Sequence, residues 1–390
     1  MDRDRIKEIA ENTPVYIFDL DRLSERTAGI RSILGNTDLC FAIKANPFLT
    51  KELSRLTDRL EVCSPGEFEI CDRLGIPPEK LIISGVNKSI ESMERILSAT
   101  GGKSIYTLES RMQYDIISDI CKRNDMHVKV IARLTSGNQF GMTGEVLKEI
   151  LGKLPGNRHL ELIGLHYYSG TQKKPSKMEK ELGALSEYAA EIKAEFGMNS
   201  LELEYGPGLS FDYFSESPAP DEFSDLELLK SYIETVRNYD KITVEMGRYL
   251  TSDCGYYVTS VADIKQNDGH NYCIVDGGIH QLNYYGQLMG MKKPHVEVIA
   301  ADSGDPGMKW NVCGSLCTVS DVIMKEACLG ELKVGDMLVF KDCGAYSVTE
   351  GMSMFLSRNL PEVMFYSEKD GAYMVRSNKD TYSLNIPEII

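Results

Sequence analysis

Between residues 35 and 250, short runs rich in β-branched and aromatic residues alternate with polar, periodic stretches, and this alternation restricts the fold more than any other feature of the chain. The runs are LCFAIKAN (39–46), LEVCS (60–64), LIISG (81–85), SIYTLES (104–110), HVKVIARLT (127–135), LELIGLHYYSG (160–170), LELEYGPG (201–208) and KITVEMG (241–247). Between them, PGEFEICDRLG (65–75), SIESMERILSAT (89–100), SRMQYDIISDICKRN (110–124) and SKMEKELGALSEYAAEIKAEFG (176–197) carry apolar residues at helical spacing. Eight β/α units in succession predict an α/β fold, a closed parallel (β/α)8 TIM-like barrel. From residue 251 the pattern changes to strands separated by turns, GYYVTSVADI, NYCIVDGG and DMLVFKDCG among them, which predicts an antiparallel β domain. The expected domains are 13–250 for the barrel and 251–390 for the β domain, with residues 1–12 a candidate addition to the second.

A chain of 390 residues with 42% hydrophobic content can bury two cores of this kind. Its net charge of -15 repels nucleic acid and anionic membranes, so neither is expected as a partner. The N-terminal MDRDRIKEIAENT is too charged for a signal peptide and no apolar run reaches membrane-spanning length, so the expected location is cytoplasmic. Ten cysteines without a C-x-x-C pair read as reduced thiols, and six histidines without ligand spacing give no support for a metal site.

Barrel active sites lie at the C-terminal ends of the strands. Lys44 ends the first predicted strand, and Arg133, HYYSGTQ (166–172), GPG (206–208) and EMGR (245–248) end later ones. A lone lysine at a strand rim snorkels to water by default; convergence with these groups favours a reactive amine. Phosphate needs backbone N–H groups at close range, and Cβ atoms obstruct that approach. Gly206, Gly208 and Gly247, with Arg248 alongside and the Thr171 hydroxyl nearby, would form such a cup, although GPG alone reads as a turn. Glu245 adds an anion to the same mouth, its simpler reading being a buried partner of Arg248. An amine, a phosphate cup and a carboxylate are what pyridoxal 5'-phosphate requires.

Here the chain resembles the barrel-type (fold type III) pyridoxal-phosphate decarboxylases, the family of diaminopimelate and eukaryotic-type ornithine decarboxylases. The likeness runs in order through PVYIFDLDRL, FAIKAN, EVCSPGE, GLHYYSGTQ, EMGRYL, VDGG, CGSLC and GDMLVFKDCGAY. It implies a two-domain architecture like that of alanine racemase, with a Schiff base on Lys44 and Glu245 paired with the pyridine nitrogen. It further implies that Arg248, Gly208, Thr171 and Tyr346 hold the phosphate, that Arg133 lies near the ring, and that Cys317 is contributed by the partner subunit of a homodimer with shared sites.

The departures bear on the substrate. Tyr168 stands where diaminopimelate enzymes carry a second histidine, so a phenol stacks on the cofactor. Thr318 follows Cys317 where the family has a carboxylate for the distal ammonium, and IHQLNYYG lacks the arginine for a distal carboxylate. Asn283, His280 and Tyr284 are the candidates to line that space, with no ligand assignable among them. The Tyr and Thr substitutions resemble the butirosin-pathway decarboxylase, which acts on a carrier-tethered glutamyl group. The expected activity is therefore α-decarboxylation of an amino acid or amino-acid conjugate other than diaminopimelate, either free or carrier-tethered. The alternatives are a racemase of the alanine racemase type, which places arginine at the ring nitrogen, and a non-catalytic regulatory relative.

Overall fold

The computed structural model describes residues 1–214, 222–300 and 307–388 and divides the chain into two compact units. Of these residues, one unit comprises 27–211 and 222–250, the other 1–26, 212–214, 251–300 and 307–388. Strand β1 (Val15–Asp19) belongs to the second unit, so the chain's first 26 residues join the β unit where the sequence pattern suggested a break at 12/13. The cause is pairing: β1 runs parallel to one strand of that unit's sheet and antiparallel to another.

The first unit is a closed barrel of eight parallel strands in chain order. They are β2 (Asp38–Ala42), β3 (Arg59–Val62), β4 (Leu81–Ile83), β5 (Ile105–Leu108), β6 (Val128–Arg133), β7 (Leu160–Tyr168), β8 (Glu202–Gly206) and β9 (Lys241–Met246). Each lies within or overlaps one of the eight predicted runs. The helices between them bury one apolar stripe; in Ile90–Thr100 it is Met93, Ile96 and Leu97, started by a Ser89 cap and stopped at Gly101 in left-handed conformation.

Because side chains alternate across a strand, residues in register share a face. Cys40 is level with Arg59 and Glu245, Arg133 with His166, and His166 with Glu204. Cys40, Ile82, Ile105 and Ile131 pack together as an apolar layer of the barrel interior. Glu61, His166, Glu204 and Glu245, all buried, add an unusually acidic layer to it.

The second unit holds a nine-stranded sheet. Its later strands are β10 (Gly255–Asn267), β11 (His270–Val275), β12 (Val296–Ile299), β13 (Lys309–Cys313), β14 (Val322–Cys328), β15 (Met337–Phe340), β16 (Glu362–Ser367) and β17 (Gly371–Arg376). The sheet is mixed, a correction to the antiparallel expectation: β1 pairs with β16 and β11 with β13 in parallel. Among the described residues no helix is long and apolar enough to cross a membrane.

Candidate active site

Lys44 stands in a single 3-10 turn, Ile43–Ala45, directly after β2. Its Nζ lies 2.7 Å from Glu61 Oε2 and 3.6 Å from Glu245 Oε1, with the Cys63 sulfur also at 3.6 Å. Both carboxylates are buried, at 2% and 6% side-chain exposure, whereas the lysine keeps 37%. The amine is thus turned inward onto anions while its stem remains reachable from the mouth.

Glu245 also meets His166, whose Nε2 is 3.2 Å from Oε2. Burial alone would push the Glu245 carboxyl up; the Lys44 ammonium and the bond with His166 outweigh it and hold the group well below the ordinary carboxylate range. Glu204 shows the opposite balance. Full burial, with the charges of Glu245 and Glu61 adding to it, raises its carboxyl well above the ordinary value, and among the described residues neither of its oxygens has a hydrogen-bond partner. Arg59, the cation level with Cys40, is bound to Glu202 at 2.9 Å. Two buried glutamates one strand apart are thereby driven apart, one to the anion and one to the neutral acid. Glu61, His166 and Glu245 offer ligand atoms within 4.8 Å of one another, a spacing a metal ion could use, and the Lys44 ammonium supplies positive charge there.

At the next strand ends, Arg133 bonds Glu109 at 3.1 Å and lies 4.8 Å from the Phe140 ring centroid. Lys88, 3% exposed, donates to the Gly85 carbonyl at 2.7 Å, and burial lowers its amine to about 8. Tyr168 ends β7, with its phenol raised by burial and subject to the charges of Lys44, Glu245 and Arg248. Its ring fills the space a Cβ on Gly206 would need, at 2.6 Å, and a Cβ on Gly208 would fall 2.0 Å from the Gly170 carbonyl. These two glycines therefore permit close approach of the turns after β7 and β8, where Thr171 also stands. Gly247 and Arg248 follow β9, with Arg248 opening a four-residue helix, 7% exposed. The amine, the ionised carboxylate and the glycine turns are a donor set that fits pyridoxal phosphate.

The remaining predicted residues lie in the other unit. Cys317 is exposed, and the Thr318 hydroxyl is 3.0 Å from Ser320 Oγ. Asp321 fixes this loop by accepting the Leu316 N–H at 2.8 Å and the Ile279 N–H at 3.0 Å. Tyr346 has φ +64 before the short helix Ser347–Glu350, where the Ser347 hydroxyl donates to the Asn283 carbonyl. Tyr284 is 2% exposed, and its hydroxyl donates to the Lys341 carbonyl and meets Cys343 Sγ at 3.0 Å. His280 is likewise 2% exposed, its imidazole lowered to about 4 by burial and the nearby Arg358. Sequence reasoning passed over Glu61, Glu204 and Asp321 and gave His166 no role of its own; strand parity was the available signal for the three barrel residues.

A family model described as pyridoxal-dependent decarboxylase, C-terminal sheet domain, matches residues 70–344. The chain belongs to this family, lyases that use pyridoxal phosphate to decarboxylate amino acids. Among its relatives, diaminopimelate decarboxylase of Aquifex aeolicus is 24% identical over 371 residues, 87% of this chain and 84% of that protein. L-glutamyl-[BtrI acyl-carrier protein] decarboxylase of Niallia circulans is 25% identical over 397 residues, 95% of this chain and 92% of that one. The crystal structure of diaminopimelate decarboxylase from M. jannaschii superposes with a TM-score of 0.84 at 20% identity, covering 99% of this chain and 94% of that one, a likeness of fold.

Proposed function

We propose that this chain is an amino-acid α-decarboxylase that holds pyridoxal phosphate through Lys44, with Glu245 facing the ring nitrogen. Its proposed substrate is an amino acid carried on a larger molecule, such as an acyl-carrier protein, and not free diaminopimelate. The observation that carries the reading is Glu245, a buried carboxylate held ionised beside the Lys44 amine. A fixed anion there keeps positive charge on a ring nitrogen, which suits carbanion stabilisation and argues against the racemase alternative.

When bound, pyridoxal phosphate supplies the electron sink for the carbanion left by carbon dioxide. Within the barrel, Glu61 accepts from the Lys44 amine and orients it. His166 holds the Glu245 carboxylate in place at 3.2 Å. Thr171, Arg248 and the backbone of Gly206, Gly208 and Gly247 would hold the phosphate, and Tyr168 and Arg133 would hold the ring. In a homodimer, Cys317 of one subunit serves the barrel of the other, placing a proton on Cα once carbon dioxide has left.

The substrate class is supported by Thr318, a neutral group with its hydroxyl turned to Ser320. It offers no countercharge to the distal ammonium of diaminopimelate, and a conjugated amino acid has no such charge to satisfy. Borohydride reduction of the purified protein followed by peptide mapping should find a pyridoxyl group on Lys44. Carbon dioxide release should be faster from a glutamyl-carrier conjugate than from diaminopimelate. An adduct on another lysine, or preference for diaminopimelate, would refute the assignment.

A further inference from the structure

We infer that Lys173 is a positioning residue for the phosphate site, an internal cation that locks the turns after β7 and β8 together and gives them their preference for a phosphorylated ligand. This rests on the cofactor reading above. A lysine one residue beyond a turn ordinarily extends into water. Lys173 is 4% exposed instead.

Its backbone and its neighbour join the two turns first. The Lys173 N–H donates to the Gly208 carbonyl at 2.9 Å, and Lys173 forms a parallel bridge with Leu209. The Gln172 amide grips Phe211 twice, accepting its N–H at 2.6 Å and donating to its carbonyl at 2.9 Å. Gln172 has φ +55, a left-handed conformation a non-glycine residue seldom adopts, and Gly208 has φ +58, which glycine takes readily.

The side chain then runs back beneath the glycines. Nζ donates to the Gly206 carbonyl at 3.0 Å, to Ser169 Oγ at 3.3 Å and to Glu181 Oε2 at 2.7 Å, which uses all three ammonium donors. Glu181, on the helix Pro175–Phe196, also accepts from the Tyr205 hydroxyl at 2.7 Å and from Ser169. The ammonium lies 5.0 Å from the Tyr205 ring centroid. Burial lowers the Lys173 amine, with the Glu181 bond opposing that shift.

This pair is neutral overall but polarised. Its positive end touches the turns and its negative end sits on the helix. The Gly206 carbonyl is drawn toward the helix layer, which keeps its negative end from a bound phosphate, while the ammonium adds favourable potential behind the glycines. A ligand without a phosphate gains from neither effect.

The test is titration of the full-length protein, stripped of aldehyde with hydroxylamine, with pyridoxal phosphate and separately with pyridoxal, read by visible absorbance. Lys173→Met should weaken pyridoxal phosphate binding by about 10-fold to 100-fold and pyridoxal binding by less than about 3-fold, and Lys173→Arg should recover most of the loss. If Lys173→Met does not fold, Lys173→Met/Glu181→Gln, which leaves no unpaired buried charge, carries the same expectation. A folded variant with an unchanged ratio of the two affinities would overturn the inference. A wild-type protein that fails to prefer pyridoxal phosphate would strike the cofactor reading itself, and the clamp with it.

Discussion

Replacing Glu204 by glutamine should change the pH dependence of stability in a direction the structure fixes. Glu204 is buried, its two oxygens have no hydrogen-bond partner among the described residues, and its carboxyl is raised well above 4.5. Above pH 4.5 the unfolded chain therefore releases this proton while the folded barrel keeps it. The folded state then binds more protons than the unfolded one, so stability falls as pH rises, by about 1.4 kcal/mol per pH unit from this one group until the folded-state value is reached. Glutamine keeps the shape and cannot titrate. Its unsatisfied amide adds a constant penalty of about 1–3 kcal/mol, which shifts the offset but not the slope. The stability difference, variant minus wild type, should accordingly grow as pH rises above 4.5, until the folded-state value is reached. Denaturant unfolding followed by far-UV circular dichroism reads the barrel through its helices; the single tryptophan, Trp310, lies in the other unit and would report on that one. A difference that stays constant with pH, or shrinks as pH rises, would refute the assignment of a proton to Glu204.

Glu245→Gln should retain pyridoxal phosphate and slow decarboxylation by about 30-fold to 1000-fold, since losing one charge-assisted contact in a water-poor site costs about 2–4 kcal/mol; steady-state turnover equal to wild type would remove the electron-sink role. Inactive Lys44→Ala and Cys317→Ala chains, mixed and shown to exchange subunits, should regain up to about a quarter of wild-type activity, because half the dimers pair unlike chains and each has one intact site. No recovery would place both residues in one chain. Lys88, lowered to about 8 from 10.5, makes the folded state bind fewer protons than the unfolded between those values, so wild-type stability should gain a rising contribution from pH 8 to 10.5 that Lys88→Met lacks. Parallel pH slopes for the two proteins would contradict the buried amine.

The barrel was legible because each strand and helix announces itself locally. LEVCS and LIISG are short apolar runs bounded by helices with capped starts, and they became β3 and β4. VYIFD has the same local character, yet as β1 it pairs with β10 and β16. Period identifies a strand and not its partner, which is also why the parallel pairs in the second sheet went unseen. Within the barrel, attention to strand ends found Lys44, Arg133, Tyr168 and Glu245 and missed the layer below. Counting by two along LEVCS and LELEYG would have put Glu61 and Glu204 on the interior face. Lys173 was not accessible to such counting, because its burial depends on Glu181, which arrives with the following helix.

The charge arrangement around Lys44 also bears on the role proposed for that lysine. A snorkelling lysine turns its ammonium to water; this one turns it inward, between Glu61 and Glu245, and leaves 37% of its side chain open. An inert buried pair would be closed to solvent and would gain nothing from the remaining exposure. Glu245, which the site holds ionised against the pull of burial, would suit a second cation brought in by a bound cofactor. The ring nitrogen of pyridoxal phosphate, when protonated, would be such a cation. The upward shift of the Glu204 carboxyl, from burial and the neighbouring charges, disfavours a further negative charge in the same layer. The acidic interior thus suits a group that reacts with the lysine through an aldehyde and carries its own cation to the other end of the site.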